Sequence, residues 1–177
     1  MKVVIQRVIQ ASVTIQQQLH ASIGRGMMIL VGIQADDHEE DIEWLSSKIC
    51  NLRIFDDENG IMNRSILETA GEILAVSQFT LMARTKKGNR PSYIDAAKPE
   101  ISVPLYEKFV QSLQKELQKE IKTGVFGADM QVGLINDGPV TIIIDSEKQT
   151  INRVLYGVKR VTGKSGRMDK ILWGSLF

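Results

Sequence analysis

The stretch Asn136–Thr141, reading Asn-Asp-Gly-Pro-Val-Thr, puts a proline where the chain otherwise reads as strand. Met130–Ile135 precedes it as a strand pattern, and Thr141–Ile144 follows as a β-branched run. Proline gives no N–H to a ladder and is poorly tolerated in a central strand. A Gly-Pro bond also has an unusually small cost for the cis form. Gly138-Pro139 therefore marks either an ordinary turn or a place where bare backbone is presented to something.

The surrounding pattern is mixed α and β. Lys2–Ile15 is rich in Val and Ile and reads as two short strands or one bent strand, with Gln16-Gln17-Gln18 as a polar hairpin tip. Gly24-Arg25-Gly26 is a turn, and Met27–Ile33 is a continuous apolar run, the pattern of a strand covered on both faces. A helix opens at Asp36–Glu40, with Asp37 and Glu40 at capping-box spacing and Ile42, Leu45, Ile49 and Leu52 as its apolar stripe. Leu52–Phe55 reads as a short strand, Asp57–Gly60 as a turn and Glu72–Val76 as a further strand. A second amphipathic helix is expected with Ser102 as cap, Pro104 in its first turn, and Leu105, Phe109, Leu113, Leu117 and Ile121 stepping by four. Thr123–Ala128 is a glycine-bounded loop leading back to the strand at Met130.

The 177 residues suit one domain, with a tail possible. From Glu147 to Phe177 seven Lys/Arg stand against two Asp/Glu, a local balance of +5 that leaves residues 1–146 at −4. Basic tails of this kind are commonly disordered. The near-neutral total gives no global polyanion-binding signature.

Several chemistries find no support. The single cysteine, Cys50, excludes a disulfide framework, and no CxxC or HExxH spacing points to a metal. Met1–Arg7 turns polar too soon for a signal peptide, and no apolar run approaches the roughly 20 residues that span a bilayer. The reading is a soluble cytoplasmic protein with no membrane partner. His20 sits near a hairpin end and His38 at an exposed helix start, so neither reads as a general base. That argues against a Ser-His or Cys-His hydrolase.

The polar cluster Ser77-Gln78-Phe79-Thr80 stands at the end of a buried strand, where a rigid scaffold can aim hydroxyls and amides into a pocket. In isolation, plain strand-end hydrogen bonding is the better explanation of it. The basic, glycine-containing loop Arg84–Arg90, with Lys86, Lys87 and Gly88, can hold phosphate or be a solvated charged loop.

Taken with Asn136–Thr141, the Ser77–Thr80 cluster closely resembles the D-aminoacyl-tRNA deacylases. Further matches are Gln6-Arg7-Val8, Asn51–Phe55, Lys87-Gly88 with Arg90-Pro91-Ser92, and Phe126–Met130, in order from residue 1 to about 146. The resemblance implies a single α/β domain over residues 1–146, a sheet curled towards a barrel with helices packed outside, and leaves 147–177 as an extension that can add tRNA affinity, pack on the dimer or be disordered. It implies a homodimer that hydrolyses the ester joining a D-amino acid to the terminal adenosine of tRNA. Glycyl-tRNA mischarged on tRNA-Ala is an implied further substrate, and no metal or organic cofactor is implied.

By matched position, Ser77, Gln78, Phe79 and Thr80 form the catalytic cluster. Gly138 and Pro139, inserted into the partner's site, form a cis backbone filter that rejects L-aminoacyl groups. Arg7 supports that segment, and Phe126 and Met130 line the adenosine site. Apart from any matched role, the basic character of Lys86, Lys87 and Arg90 suits them to meet acceptor phosphates. Two other readings stay open: a tRNA-binding module without catalysis, and an esterase with Thr80 as nucleophile. A threonine hydroxyl without a base is a weak nucleophile, which disfavours the esterase.

Overall fold

A computed structural model describes residues 1–147 and, as backbone, 150–153. The spine is strand β1, Lys2–Ile15. On one edge it pairs first with β3, Gly26–Gly32, and then, past Ala11, with β2, Gln18–Ile23. On the other edge it carries β8, Gln131–Asp145, along nearly its whole length. Strand β6, Glu72–Ser77, joins β3 in parallel, and the two-residue β7, Lys122–Thr123, joins β6 in parallel. The sheet order is β7-β6-β3-β1-β8-β9, with β9 at Thr150–Arg153, and β2 curls back to touch β6 and β7. The result is a nearly closed, barrel-like mixed sheet, as the family resemblance implies.

One irregularity sets the curl. Val3 and Ile5 face the main core, whereas Val8, Ala11 and Val13 face the interior of the curl. The spacing of three between Val8 and Ala11 breaks the alternation of two, and the pairing with β8 shifts register there. A bulge of this kind bends a strand and exchanges its faces. Ile9 is the residue left outside, half exposed. The bent single strand, one of the two alternatives for Lys2–Ile15, is what forms.

Strands β3 and β6 are covered on both faces, which explains their unbroken apolar sequence. Met27, Ile29, Val31, Ile73 and Ala75 meet the helices, while Met28, Leu74 and Val76 meet the interior of the curl. The helices are α1, Glu39–Cys50, and α2, Pro99–Leu117, packed side by side against one face of the sheet. Ile42, Leu45, Ile49 and Cys50 from α1 and Tyr106, Phe109, Leu113 and Leu117 from α2 enter that core. Burial pushes the Cys50 thiol up to about 12, so this cysteine is an apolar core residue and not a nucleophile.

Three local expectations shift. Asp37 does not cap α1: His38 is the cap residue, and Asp41 accepts from its N–H at 2.9 Å. Asp37 is engaged instead by the Met1 ammonium and the Gln34 N–H, and burial raises its pKa. Leu52–Ile54 is irregular, and the short strand β4 is Phe55–Asp56, paired with β5, Met62–Arg64. Helix α2 starts at Pro99, earlier than Ser102 suggested. Pro99 occupies the first turn, where a missing N–H costs nothing, and Pro104 is tolerated inside the helix. Ser102 instead turns its hydroxyl back to the Lys98 carbonyl at 3.0 Å. Of the proposed extension, Glu147 and β9 are described; residues 148–149 and 154–177 lie outside the described residues.

Candidate active site

Two parallel strands that end together leave a crevice beyond their carboxyl ends, where α/β sheets commonly bind ligands. Here β3 and β6 are in register, with Val31 opposite Ser77 and the Gln78 N–H donating to the Val31 carbonyl at 2.7 Å. Beyond them opens a cavity of about 530 Å³, within the usual range for a small-molecule site. Its floor is Val31, Ile33 and Val76; Ser77, Gln78 and Phe79 form one wall, Phe126–Met130 another, and Ala96, Ala97, Pro99 and Ser102 a third.

The first wall comes from a sharp change of conformation. β6 ends at Ser77, Gln78 turns, and Phe79–Met82 forms a single 3₁₀ turn. Phe79 and Thr80 are its first two residues, whose N–H groups have no acceptor within such a turn. The Thr80 hydroxyl accepts a hydrogen bond from the Gln78 side-chain amide. Neither histidine is near: His38 caps α1 and His20 lines a separate groove between β2 and β7.

The second wall is held from behind. Phe126 packs edge-to-face on Tyr106 of α2, with ring centroids 5.7 Å apart. The Tyr106 hydroxyl donates to the Ala75 carbonyl at 2.9 Å, and burial raises its pKa, so it remains a neutral donor. Met130 packs over Gly124, where a Cβ would come within 2.4 Å of the Met130 sulfur. Glycine at 124 therefore allows Met130 to lie where it does.

Gly138 and Pro139 lie elsewhere on the chain, and the peptide bond between them is cis. The ladder explains their position. Val8 pairs with Asn136 and Gln6 with Thr141, so residues 137–140 arch out opposite Arg7. Arg7, 4% exposed, fills the space beneath the arch. Its Nε donates to the Asp137 carbonyl at 3.2 Å, and one terminal nitrogen reaches the Ile54 carbonyl at 2.6 Å and Asp56 Oδ1 at 3.1 Å. The Asp137 carboxylate lies 3.3 Å from Nε. Asn136 braces the arch by accepting from the Val140 N–H at 2.9 Å and donating to the Val140 carbonyl at 3.2 Å. Gly138 has φ +120, a conformation that L side chains rarely adopt, and a Cβ there would meet Arg7 at 2.9 Å. Gly138 and Pro139 themselves stand exposed.

The structure thus gathers Ser77, Gln78, Phe79, Phe126 and Met130 around one cavity. Thr80 stands next to it, tied to Gln78. Arg7, Gly138 and Pro139 form a second group outside it: Gly138 is six residues past the lining residue Val132, roughly 20 Å of extended strand. The sequence reading assigned no role to Asn136 or Asp137, although both stood within the motif. It also missed the wall at Ala96–Ser102, whose available signal was Pro99 as a helix start.

Comparison with known proteins identifies the family. The family model for D-Tyr-tRNA(Tyr) deacylase matches residues 4–145. A D-aminoacyl-tRNA deacylase of Bacteroides thetaiotaomicron is 66% identical over 149 residues, 84% of this chain and 99% of the relative. One from Flavobacterium psychrophilum is 65% identical over the same lengths. A solved structure of a c-Myc DNA unwinding element binding protein superposes with a TM-score of 0.77 at 43% identity, covering 82% of this chain and 98% of that one. A probable eukaryotic D-amino acid tRNA deacylase, at 16% identity and a TM-score of 0.71, shares the fold. The chain belongs to the D-aminoacyl-tRNA deacylase family.

Proposed function

We propose that this protein hydrolyses the ester of D-aminoacyl-tRNA in the cytoplasm, and that it accepts glycyl-tRNA mischarged on tRNA-Ala by the same route. The observation that carries the proposal is the division of the matched residues into two groups, a cavity and a projecting backbone segment anchored by a buried arginine. The terminal adenosine is placed against Phe126 and Met130, with the ester carbonyl near Ser77–Thr80. An aminoacyl ester is already activated, so a positioned water and donors for the developing oxyanion suffice. The N–H groups of Phe79 and Thr80 are the proposed donors. Thr80 acts as a positioner, since its hydroxyl is tied to Gln78 and no histidine stands beside it. The step uses no metal or organic cofactor.

Chiral selection is assigned to the Gly138-Pro139 backbone of a second protomer. An exposed arch outside its own chain's cavity favours action on a neighbour over action in place. The surface around it supports a homodimer. From Gln131 to Thr141, β8 has β1 on one edge and, among the described residues, no strand on the other. Val132, Ile135 and, on β1, Ile9 are exposed there, and an open apolar edge of this kind is a ready surface for pairing. Carbonyl oxygens fixed in the pocket accept from the substrate ammonium in one configuration and leave no room for a side chain in the other. Glycine passes the same filter because it has no side chain.

Hydrolysis of matched D- and L-tyrosyl-tRNA by the purified protein tests this. D-selective turnover is expected. Equal rates on both refute the filter, and binding of tRNA with no turnover of either identifies a binding module.

A further inference from the structure

A 3′-terminal adenosine seated in the cavity brings with it a phosphodiester chain that must leave over the rim. The rim is not uniform. The wall at Phe126–Met130 presents Asp129, an anion. The other side is the segment that begins at Phe79 and returns at Ala96, both of which line the cavity. In a body of net charge −4, residues 84–98 carry five Lys/Arg and one Asp.

That segment is built to project. Arg84 and Ser92 exchange backbone hydrogen bonds at 2.8 and 3.0 Å, closing a hairpin-like loop. The Arg84 guanidinium grips the Asp95 carboxylate and fixes the base of the loop. This pair consumes the segment's only carboxylate. Lys86, Lys87 and Arg90 at the tip are exposed and, among the described residues, form no ion pair. Just past the loop, Tyr93 (40% exposed) meets Phe79 (57% exposed) edge-to-face, with centroids 5.1 Å apart. Two half-exposed aromatic rings beside unpaired cations are the elements with which proteins hold single-stranded nucleic acid: a π-face for a base and charges for the backbone.

We propose that residues 84–95 are the landing for the single-stranded 3′ end of tRNA. Tyr93, steadied by Phe79, stacks the nucleotide that precedes the terminal adenosine, and Lys86, Lys87 and Arg90 hold its flanking phosphates. The proposal rests on the deacylase reading and adds to it a route for the RNA. It separates recognition of the RNA from recognition of the ester, because none of these four residues lines the cavity.

The test compares two D-tyrosyl esters, one on tRNA and one on adenosine alone, with the full chain and three variants. The quantity read is the ratio of kcat/KM for the two substrates. In K86A/K87A/R90A this ratio is expected to fall ~30-fold at low salt, and the slope of log(kcat/KM) for tRNA against log[salt] to shrink by about 2, from ~0.7 per single-strand phosphate contact. Tyr93→Ala lowers the ratio about 10-fold, and Tyr93→Phe, which keeps the ring, holds it within about 2-fold of wild type. A ratio that moves less than about 3-fold in both the triple variant and Tyr93→Ala overturns the proposal. So does an equal loss on both substrates, which places the effect in the cavity or the fold. A wild-type protein that cleaves neither ester refutes the deacylase reading on its own. The loop is then judged by fluorescence anisotropy with a CCA-ended oligoribonucleotide, where equal affinity of wild type and triple variant refutes it.

Discussion

Removing the Arg7 side chain tests the link between the buried scaffold and the projecting segment. Arg7→Ala strips charged donors from the Ile54 and Asp137 carbonyls and a counter-charge from Asp56 and Asp137. The carboxylates are partly solvated, with Asp56 at 36% and Asp137 at 21% side-chain exposure, so water compensates much of their loss. The two carbonyls dominate. Charge-assisted bonds are worth about 1.5–3 kcal/mol each, which for the two gives a loss of about 3–6 kcal/mol. For a chain of this size that lowers Tm by about 6–24 °C. Asp56→Ala, by contrast, removes one rim ion pair and should cost under about 1 kcal/mol. Thermal and urea unfolding of both variants, followed by circular dichroism, makes the comparison. Equal shifts in the two would refute the claim that Arg7 acts through buried carbonyls. The milder Arg7→Lys keeps the charge and loses the fork, so it reads function in a folded protein. Small misplacement of a positioning group can cost about 100-fold, and the D/L rate ratio of Arg7→Lys is expected to fall at least about 10-fold on that scale. An unchanged ratio would show that the filter does not depend on the Arg7 cradle.

Gly26→Ala should abolish soluble protein or lower Tm by more than about 10 °C, because a Cβ there would lie 1.9 Å from the Glu72 carbonyl oxygen across the β3–β6 pair; a normally stable variant would contradict that packing. Thr80→Ala should retain kcat within about 10-fold if the hydroxyl only positions, whereas complete loss in a folded variant would reinstate it as nucleophile. Deleting residues 154–177 should leave the D/L ratio unchanged, since the cavity and the arch use residues 7–140; a truncated protein that cleaves the L-ester would assign those residues a part in selection.

Much of the fold was legible because its signals are local. The unbroken Met27–Ile33 run reported a strand covered twice, and the glutamines at 16 and 17 took the left-handed turn of a hairpin, with φ 51 and 64. The stripe through Phe109, Leu113 and Leu117 located α2, but its start was misplaced because Ser102 resembles a cap while Pro99 carried the real signal. Asp37 had ideal cap spacing and lost that role to the Met1 ammonium, a partner 36 positions away that no window reveals. The site divided in the same way. Ser77 and Gln78 were visible as polar residues, with Phe79 as the aromatic beside them, at a strand end. That Arg7 lies under Gly138 depends on the pairing of Val8 with Asn136 and of Gln6 with Thr141, a long-range register that the motif alone does not contain.

The bulged spine β1 also governs how a chain of this architecture can change length. From Lys2 to Gln6 each residue is paired on both edges, and the faces invert between Val8 and Ala11. One residue inserted between Ile5 and Arg7 would turn Val3 and Ile5 out of the core or, if they hold their register, draw Arg7 from beneath the arch. The hairpin tip at Gln16-Gln17 ends in solvent, and added residues there carry only a closure entropy that grows with the logarithm of loop length. A change of length is thereby absorbed at that tip, and the distance between cavity and arch is left unaltered.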